Sequence, residues 1–197
     1  MKIGLFFGSF NPIHVGHMAI ANYMLEFCGL DRLWFVVTPH NPLKEKKTLL
    51  ADIHRLQLVR EAIGDNNKMK ASNVEFSLPQ PSYTVNTLAY LKEKHPEHEF
   101  VLILGSDNLS TFHKWKNYEE ILKYHHLLVY PRPESAFVET QNFASLQKHP
   151  KVTITAAPLM DVSSTFIREA IKNKKDVRYL MPEAAWQYAR EMHFYER

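Results

Sequence analysis

Short apolar runs alternate with longer amphipathic segments along the whole chain, and this alternation restricts the possible folds more than any other feature. Five runs are clear, at residues 2–7, 32–37, 100–105, 125–130 and 151–156, and residues 69–76 form a weaker sixth. Runs that are apolar throughout, rather than at every second residue, are typical of strands covered on both faces. The pattern therefore predicts an α/β fold, with a mainly parallel sheet of five or six strands and helices on both of its faces.

Five helices are predicted between and after these runs, at residues 15–30, 51–65, 82–96, 163–176 and 182–194. Gly29 and Gly64 are suited to end the first two, and Ser82 or Thr84 to cap the third. Pro182 suits the first turn of the last helix. Because the 197 residues contain no repeat, low-complexity tract or linker, we expect one domain over 1–197, with a small helical part from about residue 163.

The composition excludes several classes of protein. One cysteine, Cys28, allows no disulfide framework within the chain, and no run approaches the roughly 18 apolar residues of a membrane span. A net charge of +3 is too small to indicate nucleic acid as a partner. We expect a cytoplasmic protein with no membrane partner, and the sequence leaves open whether it forms a homo-oligomer.

The first apolar run ends in an unusual turn, GSFNPIHVGH at residues 8–17. A turn between a strand and a helix exposes free backbone N–H groups and the positive end of the helix dipole, which together attract phosphate. Gly8 and Gly16 would let the backbone approach a ligand closely. Pro12 would stiffen the turn, and Asn11 tolerates unusual backbone angles.

Two histidines, His14 and His17, lie three residues apart at the predicted start of the first helix and can face the same side. Two imidazoles there could stabilise a phosphate group as its charge redistributes in a transition state. Two alternatives remain open. The pair could bind zinc, although no nearby cysteine or carboxylate completes a ligand set, or both residues could be ordinary capping or surface histidines.

A second anion-binding helix start is predicted about 150 residues downstream, in DVSSTFIREAI at residues 161–171. Ser163, Ser164 and Thr165 offer hydroxyls and backbone donors there. Arg168 follows on the first or second turn, with a guanidinium that can hold two phosphate oxygens. The same residues also form a good helix cap that needs no ligand. This segment therefore indicates phosphate binding only when it is considered together with the first segment.

Taken together, the two segments resemble the paired motif of the nucleotidyltransferase superfamily that carries an HxGH turn. Three further segments resemble bacterial nicotinate mononucleotide adenylyltransferases, and the likeness runs across nearly the whole chain. They are SYTVNTL at 82–88, LGSDNL at 104–109 followed by Phe112, Trp115 and Glu120, and the basic loop that contains Lys44. The chain departs from the family pattern at Asn86, at HNPLK (40–44) and at RPE (132–134).

This resemblance implies a Rossmann-like, doubly wound fold and the transfer of AMP from ATP to nicotinate mononucleotide, with release of pyrophosphate. Mg²⁺ would be carried by ATP, without a protein ligand. The resemblance implies catalytic roles for His14, His17, Arg168 and Lys44. ATP would bind at Gly8, Ser9, Phe10, Gly16, Gly105, Asp107, Ser163, Ser164 and Thr165, with the adenine passing Gly105. The mononucleotide would bind at Thr84 and Val85, whose amides would receive its carboxylate, and at Trp115, which would stack on its ring.

Other functions remain open at this point. The acceptor could be nicotinamide mononucleotide or phosphopantetheine, with the same chemistry. A nucleotide-binding regulator without catalytic activity is an alternative of another class. A class I aminoacyl-tRNA synthetase shares a similar turn, but this chain has no room for tRNA-binding domains and no second lysine loop of the KMSKS type.

Overall fold

The computed structural model describes residues 1–39, 49–133 and 145–196. Within these ranges six strands form one sheet, in the order β3-β2-β1-β4-β5-β6, and every neighbouring pair is parallel. The strands are β1 (Lys2–Gly8), β2 (Arg32–Val37), β3 (Met69–Ser72), β4 (Glu99–Gly105), β5 (Leu127–Tyr130) and β6 (Val152–Ile154). The predicted parallel sheet is confirmed, including its weak sixth strand, which is β3 and is shorter than expected.

All five predicted helices are present among the described residues, each slightly shorter than its sequence pattern. Two more lie between β4 and β5, where none was predicted. The helices are α1 (Val15–Phe27), α2 (Asp52–Ile63), α3 (Thr84–Lys94), α4 (Ser106–Thr111), α5 (Tyr118–Tyr124), α6 (Ser164–Lys172) and α7 (Glu183–Glu191). Short 3-10 turns follow β3 at Val74–Ser77, α4 at Phe112–Lys114 and α6 at Arg178–Leu180. In the described part of the chain, no helix is both long and apolar enough to cross a membrane.

Helices cover both faces of the sheet, as continuous apolar strands require. Side chains alternate along β1, so that Phe6 packs into the core on one face and Leu5 into the core on the other. The first core is shared with α1, α2, α6 and α7, and the second with α3, α4 and α5. Both cores hold the strands rigidly, and the loops at the strand ends are therefore well placed to carry a site.

Of the four helix ends for which the sequence predicts a residue, two are as predicted and two differ. Gly29 and Gly64 have positive φ angles of 66° and 59°, the left-handed conformation that glycine accepts most easily. Neither Ser82 nor Thr84 caps α3, because Tyr83 occupies the N-cap position without a side-chain bond. Ser82 instead donates a hydrogen bond to the buried carboxylate of Glu75. Pro182 is the N-cap residue of α7 and therefore lies just before the first turn.

The strand order reverses between β1 and β4, which are adjacent although they are far apart in sequence. In open parallel sheets, ligands bind in the crevice at the carboxyl ends of such a pair. Here that crevice is bordered by the turn after Gly8 and by the start of α4 after Gly105. The fold therefore brings two of the sequence-predicted segments to the edge where a ligand is expected.

Candidate active site

The turn after β1 owes its shape to Phe10. This residue has a left-handed φ of 46°, whereas the sequence had suggested Asn11 for the unusual conformation. Its ring is 1% exposed and packs edge-on against Phe6 and against His17, whose ring centroid lies 5.1 Å away. A Cβ on Gly8 would lie 2.8 Å from the Phe10 ring. Gly8 thus makes room for a core aromatic, and the Phe10 ring packs against the ring of His17.

His14 and His17 are stacked at the start of α1, with ring centroids 3.7 Å apart and planes 28° apart. The backbone N–H of His14 donates to Nδ1 of His17 at 3.3 Å, so the neutral His17 ring carries its proton on Nε2. A Cβ on Gly16 would lie 3.0 Å from Nδ1 of His14. The glycine therefore allows the His14 ring to lie close over the first turn of the helix.

Burial, and to a lesser extent the positive charge of Arg132, lowers the pKa of His14 to about 4. His14 is 5% exposed and is neutral near pH 7. Among the described residues, no third histidine, cysteine or carboxylate joins His14 and His17 in a group close enough to hold one ion. A capping role exists, since Nδ1 of His17 accepts a hydrogen bond from the N-cap amide of His14.

The start of α6 is bonded directly to the turn after β1. The Ser164 hydroxyl donates to the carbonyl of Pro12 at 2.8 Å, and Nη1 of Arg168 donates to the carbonyl of Asn11 at 2.8 Å. Ser163 is the N-cap of α6 and accepts from the Phe166 amide, while Arg168 also donates to the Thr165 hydroxyl at 3.3 Å. The structure thus joins two helix N-termini that lie about 150 residues apart in sequence.

Asn11 connects this turn to two further segments and was not predicted to do so. Its side chain is 4% exposed, and Oδ1 accepts hydrogen bonds from the Leu50 amide at 3.2 Å and the Tyr195 hydroxyl at 3.0 Å. Together with the bond from Arg168 to its carbonyl, Asn11 links the turn to α6, to the residues before α2 and to the C-terminal segment.

A second contributor that the sequence did not indicate is Arg55 of α2, which is fully buried. Its guanidinium donates to the Asp52 carboxylate at 2.6 Å and to four backbone carbonyls. These belong to Ser9 (2.5 Å), Thr38 (2.9 Å), Leu50 (2.9 Å) and Pro39 (3.1 Å). Burial lowers the pKa of Arg55, and the hydrogen bond that Arg55 donates to Asp52 opposes that shift. Arg55 therefore ties the end of β1 to the residues on either side of segment 40–48.

The other side of the crevice begins where β4 ends at Gly105. Ser106 accepts a hydrogen bond from the Arg132 amide at 3.0 Å, and Nε of Arg132 lies 3.8 Å from Oδ1 of the exposed Asp107. A Cβ on Gly105 would lie 3.3 Å from Nε of Arg132, so the glycine lets this side chain approach. The charge of Arg132 also acts on His14, on the other side of the crevice.

The residues predicted to bind the mononucleotide lie near one another. Trp115 is half-buried, with its ring 5.1 Å from that of Phe112, and it packs with Val85 against the same core. The ammonium group of Lys116 lies 4.5 Å from the ring centroid of Tyr83, which joins this segment to the start of α3. Thr84 and Val85 are the first two residues of α3, so their amides have no acceptor within the helix.

Lys44 lies outside the described residues, and its predicted role stays a prediction. The carbonyl of Ser9 accepts from Arg55, and the ring of Phe10 faces the core rather than the crevice. Arg168 is bonded to the turn that precedes the stacked His14 and His17, whereas Val85 and Trp115 pack against the core on the other face of the sheet.

Residues 5–170 match the family model described as cytidylyltransferase-like. A protein from Flavobacterium johnsoniae described as a probable nicotinate-nucleotide adenylyltransferase is 55% identical over 197 residues, covering 100% of both chains. A protein with the same description from Bacteroides fragilis is 48% identical over 186 residues, covering 94% of this chain and 90% of the relative.

Solved structures show a similar fold. The nicotinic acid mononucleotide adenylyltransferase of Plasmodium falciparum, determined in complex with NaAD, superposes with a TM-score of 0.79 at 20% identity. The superposition covers 99% of this chain and 97% of the Plasmodium chain. At this identity the likeness concerns the fold, and the Rossmann-like arrangement expected from the sequence is confirmed.

Proposed function

The chain belongs to the cytidylyltransferase-like family, and we propose that it acts as a nicotinate-nucleotide adenylyltransferase. The reaction is the transfer of AMP from ATP to nicotinate mononucleotide, which gives nicotinate adenine dinucleotide and pyrophosphate. Two relatives that match this chain over nearly their whole length, at 55% and 48% identity, carry that description. The reaction would be carried out by the single domain that the sequence predicts.

The chemistry needs little beyond positioning and charge stabilisation. A phosphate oxygen of the mononucleotide attacks the α-phosphorus of ATP. The bond from that phosphorus to the oxygen bridging the β-phosphate breaks, and pyrophosphate leaves with the electron pair. Because the attacking phosphate is already ionised near neutral pH, no general base is required. Phosphoryl transfer of this kind is accelerated by holding the two anions in line and by stabilising their charge.

The residues around the turn after β1 are suited to the triphosphate. His17 holds Nδ1 engaged with the His14 amide and can donate from Nε2, and neutral His14 lies stacked against it. The start of α6 adds a second set of backbone amides, and Arg168 adds a charged, bidentate donor. Lys44 would add a further cation over the same phosphates.

The acceptor would lie at the start of α3. The nicotinate ring would stack on the free face of Trp115, and its carboxylate would be received by the amides of Thr84 and Val85 at the positive end of the helix dipole. A carboxylate gains more than a neutral amide group from this environment. The arrangement therefore favours nicotinate mononucleotide over nicotinamide mononucleotide.

Mg²⁺ would enter with ATP as part of the substrate. The described side chains nearest the predicted phosphate position are histidine and arginine, which suit phosphate oxygens and not a hydrated Mg²⁺ ion. The exception is Asp107, which lies 3.8 Å from Arg132 and could contact a ribose or waters of the ion. Gly105 precedes it at the strand end, where the adenine would pass.

The observation that carries this proposal is the direct bonding of the two phosphate-binding helix starts, through Ser164 to Pro12 and Arg168 to Asn11. Its test is a pyrophosphate-release assay with ATP and each of three acceptors: nicotinate mononucleotide, nicotinamide mononucleotide and phosphopantetheine. Fastest turnover with nicotinate mononucleotide is expected. Preference for another acceptor would reassign the substrate, and ATP binding without turnover on any acceptor would indicate a regulator.

A further inference from the structure

Two histidines and a glutamate meet in the turn between α3 and β4, at the opposite edge of the sheet from the crevice. The turn reads HPEH at residues 95–98. Oε1 of Glu97 lies 3.2 Å from Nε2 of His98 and 3.8 Å from Nδ1 of His95. The three donor atoms all lie within 4.8 Å of one another. Within the described residues, no other three or more histidine, cysteine or acidic side chains lie close enough together to share one ion.

The turn is held in this shape by contacts that do not use the three donor groups. The His98 amide donates to the His95 carbonyl at 3.0 Å, and the Lys92 ammonium donates to the carbonyls of Pro96 at 2.7 Å and His98 at 3.2 Å. The two imidazole planes are nearly parallel, 7° apart, with centroids 5.4 Å apart. The backbone therefore presents both rings on the same side of the turn.

Packing also fixes each ring. His95 lies edge-on to Trp34, with centroids 5.7 Å apart, and His98 lies edge-on to Phe100 at 6.2 Å. Nδ1 of His98 is buried and has no hydrogen-bond partner in the described part of the chain. The polar contact of this ring is consequently made through Nε2, which is directed at Glu97.

We propose that His95, Glu97 and His98 form a binding site for a divalent transition-metal ion such as Zn²⁺. Two imidazole nitrogens and one carboxylate oxygen are a ligand set that zinc accepts. Zinc bonds of about 2.0–2.1 Å in a tetrahedron place ligand atoms roughly 3.3 Å apart. The observed separations of 3.2 and 3.8 Å lie close to that value, so a small rotation of the exposed Glu97 side chain can complete the geometry.

A cavity of about 580 Å³ borders this cluster. Glu97 and His98 form part of its wall, and Lys92, Glu120 and His125 contribute further polar groups. It provides room for a water molecule as a fourth ligand. The site is separate from the catalytic crevice, because β4 runs from Glu99 to Gly105 and so places the two about 20 Å apart. The inference therefore does not depend on the proposed function.

Zinc titration of the tag-free, chelator-treated protein tests the proposal. Isothermal calorimetry with ZnCl₂ should show that Glu97→Gln and His95→Gln each raise the dissociation constant for zinc by about tenfold or more. Glu93→Gln is the matched control, because it removes the same charge from an exposed position on α3 outside the cluster. It should bind zinc as the wild type does.

A second readout excludes a folding defect as the cause of weaker binding. Excess Zn²⁺ should raise the midpoint of thermal unfolding of the wild type and of Glu93→Gln by several degrees, and should leave that of Glu97→Gln unchanged. Adenylyl transfer should be the same in all three proteins without added zinc. Identical titrations for the wild type and Glu97→Gln, or no zinc binding by the wild type, would overturn the proposal.

Discussion

Acidification should destabilise the folded protein through His14, and the structure sets both the sign and the size of the effect. The folded ring is 5% exposed and has a pKa of about 4, whereas an unfolded histidine has a pKa near 6.5. Above pH 6.5 the ring is neutral in both states and its titration contributes nothing. As the pH falls from 6.5 towards 4, the unfolded chain takes up a proton that the folded protein does not, so the free energy of unfolding decreases.

The magnitude follows from the separation of these two pKa values. Each unit of pH in this window costs about 1.4 kcal/mol for one proton. Between pH 6.5 and 5.0 the His14 contribution is therefore a loss of about 2 kcal/mol. The comparison is best stopped at pH 5, because carboxylates begin to titrate below it. A loss of this size is a substantial part of the roughly 5–15 kcal/mol that stabilises a typical domain.

Urea unfolding at several pH values between 7 and 5 measures the effect, with wild type compared with His14→Gln. Glutamine is polar and does not titrate, so the variant should lose about 2 kcal/mol less over this range. Titration of His125, whose pKa is also lowered mainly by burial, is common to both proteins and cancels in the comparison. Arg132→Gln should also reduce the loss of stability on acidification, but by less than His14→Gln does, because the Arg132 charge is the lesser cause of the low pKa of His14.

Equal pH dependence in wild type and His14→Gln, to within about 0.5 kcal/mol, would refute a role of His14 in acid destabilisation. That result would mean that His14 takes up its proton in the folded state as readily as in the unfolded chain. Its burial beside Arg132 would then have no energetic consequence, and the neutral imidazole invoked at the triphosphate would have to be abandoned.

Three substitutions test other parts of the site. His17→Ala should lower kcat by about 10²-fold or more with an unchanged circular dichroism spectrum, as loss of a preorganised donor does; near-normal pyrophosphate release would contradict this role. Trp115→Ala should raise KM for nicotinate mononucleotide far more than KM for ATP, with Trp115→Phe intermediate, and equal effects on both would exclude stacking. Arg55→Met should lower the free energy of unfolding in urea by roughly 3–5 kcal/mol, because four carbonyls lose their buried donor; a loss below about 1 kcal/mol would show that water replaces it.

The strands were predictable because their apolar runs are continuous and are separated by amphipathic segments of helical length. The helices α4 and α5 were not, because at six and seven residues they are too short to show a helical period. The N-cap residue of α5, Asn117, is in a left-handed conformation with φ of 51°, which no flanking glycine signals. Tertiary packing, rather than local preference, determines this stretch.

The residues of the predicted site could be named from the sequence, but the groups that hold them could not. Arg55 lies in a helix with a charged exposed face, and nothing in its neighbours distinguishes it from the exposed Arg60. Its partners are backbone carbonyls of loops that are distant in sequence, and a carbonyl has no residue signature. The structural role of Asn11 could not be predicted for the same reason, because its side chain accepts hydrogen bonds from the distant Leu50 amide and Tyr195 hydroxyl.

These hidden contacts explain why one short motif is not sufficient to make this site. The turn after β1 contains a left-handed Phe10, a conformation that costs a bulky residue free energy and persists only where surrounding structure enforces it. Here Arg55 holds the carbonyl of Ser9 before Phe10, and Arg168 and Ser164 hold the carbonyls of Asn11 and Pro12 after it. The stacked histidines are positioned by this turn, which residues of α2 restrain on one side and residues of α6 restrain on the other. Arg168 therefore has two roles, because the side chain proposed to bind the triphosphate also donates a hydrogen bond to the turn that presents His14 and His17.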